Sequence, residues 1–358
     1  MPEFLELVPP PQALDRLLAH LPASPSPEIV ATESALGRIT AAPVMAPHPL
    51  PAFPRATVDG YAVIASDTHG ASETLPAYLQ VAGEVLMGAP AGFELRRGSC
   101  ALIHTGGMLP VGADAVVMVE HTQSVRQGEV EILRSLADGE NVLKVGEDVQ
   151  EGEEVLPGGL RLRPAEIGGL MALGLTEVAV ARRPRVGILS SGDELVAPDQ
   201  HPGPGQVRDV NAYTLRALVE RVGGVAVHYG IQPDRAADLL AAARRALLEC
   251  DTVVITAGSS ASTRDLTAQV IGALGEPGVL VHGVNVRPGK PTILAVCCGK
   301  AVIGLPGNPV SALVIADLFV TPVLETLLGL RRRLPRPGLS AALALNLPSQ
   351  AGREDWVP

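Results

Sequence analysis

The 358-residue sequence predicts a multidomain α/β protein, with a central, mostly parallel sheet in its second half and a β-rich region in its first. Three observations carry this. From Arg185 onward, short apolar strands alternate with amphipathic helical stretches, the pattern of a parallel sheet covered by helices on both faces. Between residues 60 and 135, strand signals crowd together and no long helical period appears. Pro43, Pro47, Pro49, Pro51 and Pro54 form an extended connector ahead of that region, because each proline disfavours helix at its predecessor.

Taken in order, the chain opens with a short amphipathic helix over 11–21 and a segment of mixed polarity over 28–39. Asp59-Gly60 before Tyr61-Ala62-Val63 is a turn-plus-strand signal, which by itself makes Asp59 a turn former. Strands are predicted over 79–85, 101–105, 115–120 and 130–133, the last preceded by a Gln127-Gly128 turn. Residues 141–149 and 151–159 read as short extended pieces. A helix over 165–173 ends at Gly174. The regular half then gives a strand at 186–189, a helix capped by Asn211 and closed by Gly223-Gly224, and a strand at 225–229. A helix over 234–248, the Val253 strand, the Leu266 helix and a strand at 279–284 follow. Residues 292–296 and 302–305, joined through Cys298-Gly299, look like a hairpin appended to the sheet. Asn308 caps a long helix with Pro309 at its first position. Arg331-Arg332-Arg333 reads as an exposed linker, either a basic patch or a solvated hinge, and 339–347 as the start of a strand.

Bulk properties narrow the function. A net charge of −10 argues against a general nucleic-acid or anionic-membrane binder. Four cysteines without a C-x-x-C pair suit free thiols in a reducing cytosol. The N-terminus has neither the basic flank nor the apolar run of a signal peptide. The apolar stretch 310–330 is interrupted by Asp317, Pro322 and Glu325, so it reads as a buried helix and not a membrane span.

In a parallel sheet, ligands bind at the carboxyl ends of the strands. The loop after the Val253-Val254-Ile255 strand holds Gly258, Ser259, Ser260, Ala261, Ser262 and Thr263, with Asp265 just beyond. Small residues between a strand and a helix N-terminus leave N–H groups that suit a phosphate, and an acid next to them could hold a metal ion or steer water. A Ser-rich capping loop accounts for the same residues. Neighbouring loops supply Ser190, Ser191, Gly192, Asp193 and Glu194, then Asp234, then Pro306, Gly307, Asn308, Pro309 and Ser311. Arg287 and Lys290 add cations on a Pro/Gly-stiffened turn. Each acid alone could be a helix cap; together the four loops describe a phosphoryl or nucleotidyl site with a divalent metal.

GLPGNPVSA (304–312) stands with PRATVDGYAV (54–63), HTGGMLPVGADAVVMVEHT (104–122), VGEDV (145–149), SSGDEL (190–195) and VRPGKPTIL (286–294). In this order, over nearly the whole chain, they resemble the molybdopterin molybdenumtransferase family, of which the gephyrin E domain is a relative. The resemblance implies a subunit of four parts. These are an elongated discontinuous domain (1–50 with 138–180), a β-rich insert (51–137), an α/β molybdopterin-binding domain (181–330) and the truncated start of a C-terminal β-domain (331–358). It implies insertion of molybdate into adenylylated molybdopterin with release of AMP and Mg²⁺ present, the final step of molybdenum cofactor biosynthesis. It implies a cytoplasmic homodimer whose site draws on both subunits, an upstream molybdopterin adenylyltransferase, and molybdoenzyme acceptors. Asp59, Thr105 and Asp148 match motif positions that the family places at the facing domain; Asp193, Glu194, Asp234 and Asp265 are the α/β candidates to serve a metal or water, Glu194 and Asp265 being the candidate Mg²⁺ ligands. The residues of the loops named above are the substrate-binding candidates.

Three departures stand out. The family's Gly-Gly-Val-Ser-Val-Gly loop is Gly258-Ser259-Ser260-Ala261-Ser262-Thr263 here; Ala56-Thr57-Val58 replaces Ser-Ala-Met before Asp59; and Leu143 stands where an Arg is common. Two alternatives share the fold: a molybdopterin adenylyltransferase, which the two extra N-terminal regions count against, and a cofactor-binding scaffold without turnover, which retention of Glu194 and Asp265 counts against.

Overall fold

A computed structural model of the chain describes residues 7–22, 25–257, 261–331, 339–342, 344 and 346–357, with only the backbone described at 261–265. The chain forms two compact units, one of residues 43–156 with 172–174, the other of 1–42, 157–171 and 175–358.

The smaller unit is built on a six-stranded sheet. Its strands are β1 (Gly60–Val63), β2 (Ala77–Glu84), β3 (Ser99–Ile103), β4 (Ala115–Met118), β5 (Thr122–Arg126) and β6 (Glu129–Ile132). Spatial order is β4-β1-β3-β2-β6-β5, antiparallel except between β2 and β3. Alternation puts Val63, Leu79, Cys100, Val117 and Val130 into a core on one face and Ala62, Ala101, Ile103 and Val116 into another on the opposite face. β5 escaped the sequence reading because TQSVR has no apolar alternation and four of its five residues are exposed; cross-strand pairing with β6 makes it a strand. The Gln127-Gly128 turn joins these two, with Gly128 at φ 82°. The short extended pieces resolve as two-strand pairs, Val44–Met45 with Glu154–Leu156 and Arg55–Ala56 with Val142–Leu143.

The larger unit holds the α/β sheet. Its strands are β7 (Arg185–Ser191), β8 (Val225–Gln232), β9 (Thr252–Ala257), β10 (Pro277–His282), β11 (Ile293–Cys297) and β12 (Lys300–Pro306), in the order β8-β7-β9-β12-β11-β10. Besides the helix Pro164–Ala172, the helices are α1 (Pro10–Leu18), α2 (Asn211–Val222), α3 (Ala236–Glu249), α4 (Ala261–Gly272) and α5 (Pro309–Ile315), after which the chain stays helical to Leu327. Ile188, Val254 and Ile303 pack under α1, α2 and the C-terminal helical run. Leu189, Val253, Ile255 and Val302 pack under α3 and α4. Two apolar faces are why these strands read as unbroken apolar runs.

Three expectations are corrected here. The hairpin is not simply appended: β12 lies inside the sheet, parallel to β9, and only β11 and β10 extend it antiparallel. Asn211 is the first residue of α2 and not its cap; Asp209 Oδ1 accepts from the Ala212 N–H at 3.2 Å. The described part of 339–347 contains no strand, whereas Glu354–Asp355 pairs in parallel with Val286–Arg287.

Pro309–Leu327 is, among the described residues, the one helix with the length and apolar content to cross a membrane. Its apolar face instead belongs to the core, with Ala312, Ile315, Phe319, Val320, Val323 and Leu324 buried. A π turn at Ala316–Val320 precedes Pro322, which cannot donate to the carbonyl four residues back. Phe319 is fully buried, so Phe319→Ala is expected to cost about 3–5 kcal/mol of stability in urea unfolding. A loss below 1 kcal/mol would contradict its place in this core. Cys100, Cys250, Cys297 and Cys298 are all unpaired.

Candidate active site

Strand direction decides which loops meet. β7, β8, β9 and β12 are parallel, so their carboxyl ends share one edge of the sheet. β11 begins at that same edge, since Ile293 pairs with Gly304 near the end of β12 and with His282 at the end of β10. The 283–292 turn with Arg287 and Lys290 therefore leaves from the edge that also carries Glu194, Asp234 and Asn308. Neighbouring strands lie about 5 Å apart, so the turn leaves the sheet roughly 15 Å along the rim from the end of β7.

At the β7 end the acids form a local network. Ser191 Oγ donates to Asp234 Oδ1 at 2.7 Å, and the Asp234 N–H donates to Asp193 Oδ1 at 3.2 Å. The Gly192 N–H donates to Gln232 O at 3.2 Å. A Cβ on Gly192 would meet Glu194 Oε2 at 2.7 Å, so glycine here lets the glutamate fold back over the loop. The half-buried Glu194 carboxylate has no partner among the described residues.

Ser190 and Ser191, 1% and 2% exposed, have hydroxyls already engaged within the protein. Ser190 Oγ donates to Asp209 Oδ2 at 2.5 Å, and Thr256 Oγ1 lies 3.4 Å from Ser190 Oγ. On the β12 side, Asn308 Oδ1 accepts from the N–H groups of Val310 and Ser311 at 3.1 and 3.3 Å. Pro306 and Pro309 have no N–H, so in this loop only Gly307 and Asn308 keep backbone donors for an incoming oxyanion. Arg287 and Lys290 are both exposed, and Gly289 between them packs so closely on Ile315 that a Cβ would meet its Cδ1 at 2.3 Å.

Gly258, Ser259 and Ser260 lie outside the described residues. Ser262, Thr263 and Asp265 fall in the first turns of α4, with their side chains outside the description. Among the described residues, no group of three or more His, Cys, Asp or Glu side chains is placed to hold a metal ion.

Two further residues emerge from the structure. Asp209 (5% exposed) and Asn211 (7% exposed) sit just ahead of and at the start of α2. Asn211 Nδ2 donates to Gly307 O at 2.8 Å, while its Oδ1 is buried without a partner. In the sequence, Asp-Val-Asn before an apolar period carries only a helix-start signal, so neither stood out as part of the rim.

In the smaller unit, the Asp59 and Thr105 pair forms directly. Asp59 Oδ1 accepts from the Thr105 N–H at 2.7 Å and from Thr105 Oγ1 at 3.0 Å. These donors, chiefly the backbone one, and then the nearby His104 hold the Asp59 carboxyl below the usual carboxylate range against a small opposing burial effect. A depressed value means the interaction is complete above the ordinary carboxylate range and lost only as pH falls through the lowered one. Thr105→Val should therefore raise the Asp59 titration midpoint read by NMR; an unchanged midpoint would remove the hydroxyl from the account. Asp148 is exposed in the same unit, its N–H donating to Leu50 O at 3.0 Å.

Acids at the strand ends and exposed cations on one edge of the sheet make that edge the candidate site of an α/β protein. Residues 8–174 match the model of the MoeA N-terminal region (domain I and II), and residues 187–326 that of the probable molybdopterin binding domain. The molybdopterin molybdenumtransferase of Haemophilus influenzae is 34% identical, over 96% of this chain and 84% of its own length. That of a Nostoc species is 37% identical, over 88% of this chain and 73% of its own. A crystal structure of the molybdopterin biosynthesis MoeA protein from Pyrococcus horikoshii superposes with a TM-score of 0.80 at 41% identity, covering 91% of this chain and 81% of that one. The chain belongs to the molybdopterin molybdenumtransferase family: it is a transferase with a role in molybdenum cofactor biosynthesis.

Proposed function

We propose that this enzyme inserts molybdate into adenylylated molybdopterin and releases AMP, with Mg²⁺ required. The observation that carries the reading is the rim itself, with carboxylates at the β7 and β8 ends and two exposed cations on the turn that leaves the same edge beside β11. A nucleotide joined to a pterin phosphate carries its two phosphates side by side, and molybdate arrives as a separate anion, so the two substrates together place an anionic group at each end of the rim. Asp193 and Asp234 hold the first loop in shape, leaving the Glu194 carboxylate, without a partner among the described residues, to face the reacting phosphate. Arg287 and Lys290 bind the other anionic end, and the N–H groups of Gly307 and Asn308 are the uncharged donors for molybdate. The donor chemistry fits Mg²⁺, a hard cation that takes one or two carboxylates and completes its shell with phosphate oxygens and water. Glu194 and Asp265 would hold it, and when bound it supplies charge neutralisation at the cleaved phosphoanhydride. Asp59, Thr105 and Asp148 would complete the site across a homodimer, in the cytoplasm, between an upstream molybdopterin adenylyltransferase and the molybdoenzyme acceptors. The four-part division of the subunit belongs to the same reading.

The test incubates the protein with adenylylated molybdopterin, Mg²⁺ and molybdate and follows AMP. Release that depends on molybdate supports the reading. Release without molybdate makes the protein a hydrolase. Tight binding without release makes it a scaffold, and failure to bind overturns the proposal altogether.

A further inference from the structure

Three parallel strands, β7, β9 and β12, end side by side at the rim, and one short stretch touches two of them and reaches the third through a hydroxyl. Asp209 Oδ2 accepts from Ser190 Oγ at the end of β7. Ser190 Oγ lies 3.4 Å from Thr256 Oγ1 near the end of β9. Two residues after Asp209, Asn211 Nδ2 donates to Gly307 O just past the end of β12. The stretch is held in turn by the helix it starts, through the 3.2 Å bond from the Ala212 N–H to Asp209 Oδ1.

Helix capping explains only one of these contacts. Asp209 needs a single oxygen to cap α2, yet its second oxygen faces a buried serine. Asn211 contributes nothing to capping, since its amide nitrogen points to another strand's loop. Turning the amide over would set its oxygen against the Gly307 carbonyl, so the hydrogen-bond pattern fixes the orientation. Its oxygen is then a buried acceptor without a partner.

We propose that Asp209 and Asn211 are positioning residues for the transferase reaction: from the start of α2 they fix the Ser190–Glu194 loop relative to the Gly307–Ser311 loop. The loop bearing Glu194 and the loop bearing the Gly307 and Asn308 N–H groups are then presented to one ligand at a set spacing. Small errors in such spacing are costly, because reacting groups held out of line lose the advantage of proximity. The proposal rests on the rim being the reaction site, but its first readout does not depend on turnover.

The experiment uses the full chain with three variants: Asn211→Ala, Asp209→Ser and Asp209→Asn. Serine can still cap the helix but does not reach Ser190. Asparagine keeps both contacts with one donor reversed, because the serine hydroxyl can also accept. Amide hydrogen exchange is expected to quicken about tenfold at Val310 and Ser311 in Asn211→Ala, and at Gly192 and Leu195 in Asp209→Ser, with the cores of β7, β9 and β12 unchanged. AMP release should fall about thirtyfold in both, by kcat more than KM, and Asp209→Asn should recover most of the loss. Unchanged loop exchange would overturn the proposal, whatever the activity. Loss in Asp209→Asn equal to that in Asp209→Ser would overturn it too, by making Asp209 a charge that acts on the ligand. If the wild type releases no AMP, the proposed reaction fails while the exchange data still decide the positioning.

Discussion

Exchanging Glu194 for glutamine is expected to slow AMP release about a hundredfold while nucleotide binding stays within about threefold. The side chain keeps its size and its place over Gly192, so the loop it folds against is undisturbed. What disappears is a negative charge on the only rim acid whose carboxylate, among the described residues, has no internal partner. An interaction made with metal or water in the transition state affects kcat; one made with the pterin affects binding. Asp265→Asn is expected to behave in the same way, impairing release more than binding. Pre-steady-state AMP release and a separate nucleotide titration check both variants. Equal loss of rate and affinity would remove the proposed role from either acid.

Gly60→Ala is expected to cost the smaller unit about 3 kcal/mol or more, at the upper end of overpacking costs. A Cβ at residue 60 would lie 1.8 Å from the Val117 carbonyl oxygen, and a backbone atom in a paired strand cannot rotate aside. β1 lies between β4 and β3, so the displaced pairing would open the sheet from within. Asp59 immediately precedes this contact and would lose its geometry with Thr105. Limited proteolysis should cut 43–156 early while the α/β unit stays intact, and the Asp59 titration should move toward its ordinary range. Wild-type resistance in Gly60→Ala would show that the strand gives way more easily than its contacts imply.

The residues of Asp59-Gly60 show how far local reading goes. Turn chemistry places a strand after them, and β1 follows. The close pass of Val117 is invisible locally, because fifty-odd intervening residues must first fold to bring β4 alongside. The same holds for Thr105, whose two donors reach Asp59 only when β1 and β3 pair. At the α/β rim, the small-residue loops and the acids were legible as types and positions along the chain. Which acids remain free was not: Ser191 and the Asp234 N–H engage Asp234 and Asp193 through contacts some forty residues apart.

What the sequence determined by itself is whatever has a short period or a fixed spacing. That includes the alternation of strand and helix, the caps and turns, the acidic balance, and the ordered motifs that place the chain in its family. Tertiary structure alone decided that β12 sits inside the sheet, that Asp209 and Asn211 grip two strand ends, and that Glu194 has no partner among the described residues. These outcomes follow from pairing between segments remote in sequence. No local propensity carries that information, because the free energy that selects it arises only when the apolar faces close on one another.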